Sequence, residues 1–596
     1  MSTPPAANAS PTVADQLLDY LALEGARTLF GIPGGGIAHL LERVNQRGDF
    51  DYVVSRHETG AAYMADGYFR ATGRLCVVLV TSGPGGTNAL TGAMNAQASG
   101  SAVVVLTGEV AEVFLGRGYL QDGTDCGLNL RDLYAAATAF SADIPDPTSA
   151  PTLIEEALRT ALALPRRAVR LGIPDNVAAA QQAPSLSPRP PASPRAYRSA
   201  PPDDAPTPAV RRVLGALAAA KRPLLLLGSG CRAALRDAET ARALRRFVEW
   251  WQIPAMTTSD GKGVFPESHP LSLRSYGFAG CMWPQYWMTT SSGGAAHDAL
   301  LVLGSSLGEL ATYRWNPMLM PQGPLIQVDA DAARIGRGFP VTEGIVAEAG
   351  AFLRALWDQA AAWPRDVGTI EQRRQSLAAL KEQHSPFIAP TDYEAQGTPL
   401  HPAALCRSLN KLLPEDALVF VDSGNCVGWA LHYLVIDRRQ EFHSALSMGP
   451  MGFGTCAVIG ARHGCPDRLC VALTGDGAFL MHLGEISTAA ARGIGAVWVV
   501  LADNNLSMVS QGMAALFSTD PAAGRPYPLG GSDLAATARG LGAEAWDVRN
   551  PEDLHLAWPQ LVQGAAAGKP QVVVAHIDTA AAPPYYAAPY WQPKVE

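Results

Sequence analysis

Arg468-Leu469-Cys470-Val471-Ala472-Leu473-Thr474-Gly475-Asp476-Gly477 runs from an apolar stretch into a glycine-flanked aspartate, and a helical pattern over 478–491 follows it. A strand of this kind belongs in the interior of a parallel sheet covered by helices on both faces. Glycines at its end let the backbone approach an anion, and the helix N-terminus that follows favours phosphate. A carboxylate there is repelled by phosphate unless a cation lies between them, so Asp476 predicts a magnesium ion with oxygen ligands. A second ligand has to come from another strand end. Residues 497–501 are apolar and run into Ala502-Asp503-Asn504-Asn505-Leu506-Ser507-Met508-Val509, with 27 residues from Asp476 to Asp503.

The same alternation extends over the whole chain. In the first block, Thr12-x-x-Asp15 has the form of a capping box ahead of Leu17, Leu18 and Leu21. A strand ending in Phe30-Gly31-Ile32-Pro33 follows, then a helix after Gly36, a strand over 52–55, a helix over 58–71, and an apolar strand over 75–80 that enters a glycine-rich turn. Residues 183–207 are too rich in proline to join a core and read as a linker. Pro223–Leu227, Ala299–Leu303 and 325–328 are strands of a second block, and 361–400, with a polar helix-forming stretch at 371–383, is a second linker. The expected fold is α/β, with three parallel-sheet domains at 12–182, 208–360 and 401–580 and a tail at 581–596. Arg74-Leu75-Cys76-Val77-Val78-Leu79 echoes Arg468-Leu469-Cys470-Val471-Ala472-Leu473. The echo is either convergence of two buried strands or two copies of one domain.

Composition removes several classes. Charged residues are 17% and hydrophobic ones 48% of 596, which suits a large globular enzyme. A net charge of −8 argues against a nucleic-acid surface. The nine cysteines show no C-x-x-C pair and no zinc spacing, and read as reduced thiols of a cytoplasmic protein. The first ten residues lack the basic start and apolar core of a signal peptide, and no apolar run is long enough to span a membrane.

The Asp476 turn and the Asp503 strand end together resemble the thiamine-diphosphate motif, a GDG followed by an Asn-rich strand end. Arg56-His57-Glu58-Thr59-Gly60-Ala61-Ala62, followed by Ala65-Asp66-Gly67-Tyr68, is similar to the RHE-x-G-A pattern of acetolactate synthases. Thr81-Ser82-Gly83-Pro84-Gly85-Gly86-Thr87-Asn88 resembles their TSGPG-x-TN turn. The chain thus resembles thiamine-diphosphate-dependent enzymes of the acetolactate-synthase type, as pyrimidine-binding, central and diphosphate-binding domains, and the echo becomes two related domains. The resemblance implies that Glu58 hydrogen-bonds N1′ of the cofactor's aminopyrimidine and so promotes loss of the C2 proton. A carboxyl in that role needs a buried setting in which it can share a proton near neutral pH; its plainer role is a helix N-terminal charge. By the same resemblance Ser82, Pro84, Gly85 and Asn88, in the turn that packs against the pyrimidine end, bind the cofactor, and Gly34, Gly35 and Gly36 line the space at the reaction centre. Gly424, Asn425, Gly475, Gly477, Ala478 and Met508 bind the cofactor as well. Met451, in Gly449-Pro450-Met451-Gly452-Phe453-Gly454, sits under the thiazolium, and Gln121 faces the reaction centre. Asp476 and Asp503 bind magnesium by their side chains and Asn505 by its carbonyl, with Asn504 as ligand in the alternative register. A homodimer or homotetramer with active sites shared between subunits is implied.

The chain also departs from the synthases. Gly512 stands where the anabolic enzymes carry Trp, and Gly36 where relatives have a side chain; both point to a larger acceptor. His57, common before the Glu in synthases, does not discriminate. Gly228-Ser229-Gly230-Cys231-Arg232-Ala233 imitates a dinucleotide turn, but the acid expected about 20 residues on is only Glu249, inside a helical pattern. The segment that helps hold flavin in the synthases is replaced by Gly304-Ser305-Ser306-Leu307-Gly308-Glu309, which argues against FAD and leaves Asp329 as the residue able to meet a ribose. That segment also spells G-x-S-x-G, the mark of a serine hydrolase using Ser306 with Asp422 and His443, which leaves Glu58 and Asp476 unexplained. The expected activity is carboligation. A 2-keto acid or 1,2-dione loses carbon dioxide or an acyl fragment, and its acyl-anion unit passes to a carbonyl acceptor. Alternatives are a 2-keto acid decarboxylase, a C–C lyase or hydrolase, and a non-catalytic cofactor-binding relative.

Overall fold

The computed structural model describes residues 11–183, 191–200, 204–290, 294–517 and 527–587. The linker expectations at 184–190 and 201–203, and the tail at 588–596, lie outside the described residues.

Among the described residues, eighteen strands form three six-stranded sheets. The first is built from β1 (Thr28–Ile32), β2 (Asp51–Val54), β3 (Cys76–Val80), β4 (Val103–Glu109), β5 (Phe140–Asp143) and β6 (Ala168–Pro174), in the order β2-β1-β3-β4-β6-β5. The second takes β7 (Pro223–Leu227), β8 (Ala255–Thr258), β9 (Ser272–Tyr276), β10 (Ala299–Leu303), β11 (Leu325–Asp329) and β12 (Glu343–Val346), ordered β12-β11-β10-β7-β8-β9. The third takes β13 (Leu418–Val421), β14 (Glu441–Ser444), β15 (Cys470–Gly475), β16 (Val497–Ala502), β17 (Glu544–Val548) and β18 (Gln571–His576), ordered β14-β13-β15-β16-β18-β17. Every pairing is parallel. The expected three-sheet α/β fold is therefore what the chain adopts.

Counted within each sheet, the first and third share one order, 2-1-3-4-6-5, while the central sheet has the doubly wound order 3-2-1-4-5-6. The echoing strands, β3 and β15, occupy the same place in the two matching sheets. In such sheets ligands bind beyond the carboxyl ends of the strands where the order reverses. Those points lie between β1 and β3, and between β13 and β15.

The chain forms two compact units. One comprises Met1–Ala200, Ser447–Asp467 and His482–Ile494; the other comprises Pro201–Leu446, Arg468–Met481 and Gly495–Glu596. In the first unit the helix Phe453–Gly464 lies along the helix Glu58–Thr72. Small residues make the approach close: a methyl on Gly67 would stand 2.6 Å from the Ala457 carbonyl carbon, and one on Gly460 2.6 Å from that of Met64. The Arg70 guanidinium covers the Phe453 ring at 4.5 Å.

The capping box at Thr12 forms, with the Thr12 N–H donating to the Asp15 carboxylate at 2.8 Å. The helix expected over 478–491 is instead two, Asp476–His482 and Glu485–Arg492, broken at Leu483-Gly484. The polar stretch in the second linker is the helix Val367–Gln383, and it is docked rather than free. Buried Arg373 donates to the carbonyls of Ala220, Lys221 and Trp251, which pins the helix to the central domain.

The serine-hydrolase alternative, set aside on the sequence, finds no support in the local geometry either. A nucleophile elbow needs a strand, a sharp turn and a helix, but after β10 the chain runs through bends and turns to a short 3-10 segment at Pro317–Leu319. His443 is inside β14, stacked on Phe420, with Nε2 3.2 Å from Glu441. Among the described residues no helix is long and apolar enough to cross a membrane.

Candidate active site

In the first unit the β1–β3 switch point gathers one group of the sequence-selected residues. The turn after β1 carries Gly34, Gly35 and Gly36, and β3 ends in Val80 before Thr81-Ser82. Gly34 lies against Thr81, where a methyl would come within 2.5 Å of its Cβ. Gly36 faces Ser82 Oγ, 3.0 Å from where a methyl would stand, so it adds no room for a larger acceptor. Gly35 is the residue whose outer face meets nothing within 4 Å. Gly83, at φ 60°, turns the chain into the helix Pro84–Ser99, which carries Gly85 and Asn88. The backbone of Gln121 lies over Gly83, within 3.0 Å of where a methyl would stand, and the Gln121 side chain is exposed.

Glu58 opens its helix and is buried. Asn88 Nδ2 donates to Glu58 Oε2 at 3.0 Å, and the Thr59 hydroxyl donates to the Asn88 backbone carbonyl at 2.5 Å, which ties the two helices together at this point. His57 caps the helix: its Nδ1 accepts from the Thr59 N–H at 3.2 Å, which leaves Nε2 to carry the ring proton when the imidazole is neutral.

The helix break at Gly484 has a purpose here. Glu485, 1% exposed, turns its carboxylate to the segment just before Glu58. Oε1 accepts from the N–H groups of Arg56 at 3.0 Å and His57 at 2.9 Å, and Oε2 accepts from the Thr488 hydroxyl at 2.7 Å. Burial pushes the Glu485 carboxyl up, opposed by those donors. Beside it, His482 stands edge-on to both His57 and Tyr63, at 6.2 and 5.6 Å between ring centres, and burial followed by the charge of His57 lowers it to about 4. The His482 ring also lies on Gly452, next to Met451, which places Met451 in this unit.

In the second unit the β13–β15 switch point gathers the remaining residues. Asp476 starts its helix directly after β15, with Ala478 buried behind it. Its Oδ1 accepts from the Gly477 N–H at 2.8 Å, and its Oδ2 from those of Asp503 at 3.1 Å and Asn504 at 2.6 Å. Burial, then the charge of Asp503, raises Asp476 to about 6; burial raises Asp503 as well. Asp503 accepts from the Asn505 N–H at 3.2 Å and from the Ser507 hydroxyl. Asn504, at φ 57°, is committed elsewhere: its side chain accepts from the Gly531 N–H at 2.7 Å and its carbonyl from Leu529 at 3.0 Å. Asn505 uses its side chain on Ser507 and Ser510. A methyl on Gly475 would meet nothing within 4 Å.

Gly424, at φ 130°, introduces the helix Asn425–Tyr433 beside the same strand ends. Asn425 Nδ2 donates to Gln511 Oε1 at 2.9 Å, and the Tyr585 hydroxyl donates to Asn425 Oδ1. Met508 follows the first residue of the helix Ser507–Phe517 and packs on the core of the third sheet. Among the described residues no three His, Cys, Asp or Glu side chains gather as a metal cluster, so a cation here has two carboxylates at most. Magnesium is bound in just this sparing way when phosphate oxygens and water complete the octahedron.

Glu485, His482, Gln511 and Tyr585 escaped the sequence reading. A single helix over 478–491 put Glu485 in mid-helix, where it looks like surface. Tyr585 lies in the expected tail. The turn in the central domain is crowded: the Gly230 N–H donates to the Gly304 carbonyl at 3.0 Å, and the helix after it, Arg232–Leu235, has four residues. A groove of about 600 Å³ lies along the edge strand β17, lined by Arg539, Glu544, Trp546 and Lys569, and holds none of the sequence-selected residues.

Comparison with known proteins places these two groups of residues in context. Residues 11–127 match the N-terminal TPP binding domain of thiamine pyrophosphate enzymes, 210–356 their central domain and 422–575 their C-terminal TPP binding domain. A putative acetolactate synthase large subunit of Mycobacterium tuberculosis is 33% identical over 543 residues, covering 89% of this chain and 92% of that protein. An acetolactate synthase large subunit of Parasynechococcus marenigrum is 29% identical over 565 residues, covering 92% and 85%. Among solved structures, a thiamine diphosphate-dependent 4-hydroxybenzoylformate decarboxylase of Rhodococcus jostii superposes with a TM-score of 0.78 at 23% identity, covering 95% of this chain and 99% of that one.

Proposed function

The chain belongs to the thiamine pyrophosphate enzyme family, related to acetolactate synthase large subunits, and from this premise we propose that it is a magnesium-dependent carboligase. Its donor is a 2-keto acid or 1,2-dione, and its acceptor is a carbonyl compound larger than pyruvate. The observation that carries the reading is the pair Asp476 and Asp503. A buried carboxylate, Asp476, and a half-buried one, Asp503, stand at adjacent strand ends, both raised by desolvation; they form a donor set that calls for a divalent cation, and open space lies over Gly475.

The residues present fit the cofactor. Asp476 and Asp503 would hold magnesium by side chains and Asn505 by its carbonyl, which is supported by the other commitments of Asn504. Gly424, Asn425, Gly475, Gly477, Ala478 and Met508 would border the diphosphate, and Gly34, Gly35, Ser82, Pro84, Gly85 and Asn88 the pyrimidine. Met451 would support the ring between them. When bound, thiamine diphosphate supplies the electron sink for an acyl-carbanion equivalent. Glu58 is assigned to hold a proton at the aminopyrimidine, oriented by Asn88. Gln121 is assigned to the substrate side, and Gly512 leaves the acceptor side without an indole. A homodimer or homotetramer with shared active sites is part of the proposal. Flavin is not called on, given the crowded turn at Gly230 and Gly304.

The test is a panel of 2-keto acids with the protein reconstituted with magnesium and thiamine diphosphate, followed by mass spectrometry with and without aldehyde or ketone acceptors. Ligated product that appears only with an acceptor supports the proposal. Release of plain aldehyde alone would make the enzyme a decarboxylase.

A further inference from the structure

We infer that Glu485 is a positioning residue for Glu58: its carboxylate holds the backbone of Arg56 and His57 and thereby sets where the Glu58 helix begins. The inference rests on the functional reading above, in which Glu58 is the proton-holding acid.

The segment between β2 and the Glu58 helix has N–H groups that no sheet or helix ladder uses. Glu485 accepts from two successive ones, at Arg56 and His57, across 429 and 428 residues of sequence. The grip is reciprocal. The Arg56 side chain returns to the same turn, with Nε 2.8 Å from Ser487 Oγ. Gly60, one turn into the helix, has no room for a side chain, because a methyl there would stand 2.9 Å from Glu485 Cδ and closer still to Oε1. A glutamate that served only its own helix terminus would face water. This one is buried, and while Oε2 serves Thr488 of its own helix, Oε1 accepts from two N–H groups of another segment. Glu58 is thus fixed twice, its backbone through Glu485 and its carboxyl through Asn88. Proton transfer depends steeply on such placement, since a misplacement of about 1 Å can cost roughly a hundredfold in rate.

Glu485→Ala, Glu485→Gln and Gly60→Ala in the full chain test the inference. In the cofactor-free protein, hydrogen exchange of the peptide spanning 55–60 should quicken at least about tenfold in Glu485→Ala. In the protein loaded with magnesium and thiamine diphosphate, deuterium exchange at cofactor C2 should slow by about tenfold or more while cofactor Kd changes less than about threefold. The loss then appears in kcat rather than KM. Glu485→Gln, which keeps one acceptor oxygen, should recover part of it, and Gly60→Ala should reproduce it from the opposite side. C2 exchange within about twofold of wild type in Glu485→Ala and Glu485→Gln overturns the inference. So does a loss of melting temperature and cofactor affinity with no separate effect on C2 exchange. A wild-type chain that takes up no thiamine diphosphate overturns the functional reading and this inference with it. Rapid wild-type C2 exchange that the variants share overturns this inference alone.

Discussion

Lowering the pH from 7 to 5 should loosen magnesium and thiamine diphosphate together, through Asp476. Burial first, and the Asp503 charge second, raise its carboxyl from 3.8 to about 6. One pKa unit is about 1.4 kcal/mol, so ionising Asp476 in the folded chain costs about 3 kcal/mol more than in the unfolded chain. Because the folded value lies above the unfolded one, this cost is absent below about pH 4 and fully present above about pH 6. The chain stripped of cation should therefore lose up to about 3 kcal/mol of stability from this group as the pH rises through that window. A cation between the carboxylates offsets that cost, but only after the proton has left. Affinity should fall about twofold from pH 7 to 6 and about five- to sixfold more from pH 6 to 5, about tenfold in all. Titration calorimetry in buffers of different ionisation enthalpy counts the released proton. The cofactor's own phosphate also titrates, so Asp503→Asn is the informative comparison: it removes the second cause and should move the midpoint to lower pH. An affinity that is flat between pH 5 and 7, or proton release unchanged in Asp476→Asn, would refute the reasoning.

Glu58→Gln should lower turnover by about 10²–10⁴-fold while circular dichroism and melting temperature stay near wild type. Gly67→Ala pushes a methyl into the Ala457 backbone and should cost about 1–3 kcal/mol in denaturant unfolding. Asn504→Ala should weaken magnesium uptake less than Asp503→Ala, because its side chain serves Gly531; metal titration by calorimetry separates the two. Gly512→Trp should move the product ratio toward the smaller acceptor in competition experiments read by mass spectrometry.

The sheets were legible because a strand buried on both faces announces itself locally: Pro223–Leu227 and Ala299–Leu303 are apolar throughout and form with the expected bounds. Asp476 and Asp503 could be singled out because each directly follows such a strand, and the structure brings them together at neighbouring strand ends. Glu485 was not, because its partners lie more than 400 residues away and nothing near it marks the break at Gly484. Gly36 misled for a related reason. An absent side chain leaves space only if no neighbour fills it, and the neighbour, Ser82, arrives from another strand. The three glycines from Gly34 to Gly36 look alike in sequence, yet only Gly35 faces open space.

The position of β18 has a consequence in time. Among the described residues it is the last strand, yet it lies between β16 and β17 inside its sheet, and Tyr585, which holds Asn425, comes later still. On the ribosome, the first sheet has all its strands once Pro174 has emerged. The third sheet waits for His576, about 400 residues later, which at about 5–20 residues per second is about 20–80 s of synthesis. Until then β16 and β17 have no strand between them, and their unpaired edges are open to neighbouring nascent chains. Slow expression at low temperature lengthens that interval, and chaperone capacity, more than codon choice near the start, should govern how much of the chain emerges folded.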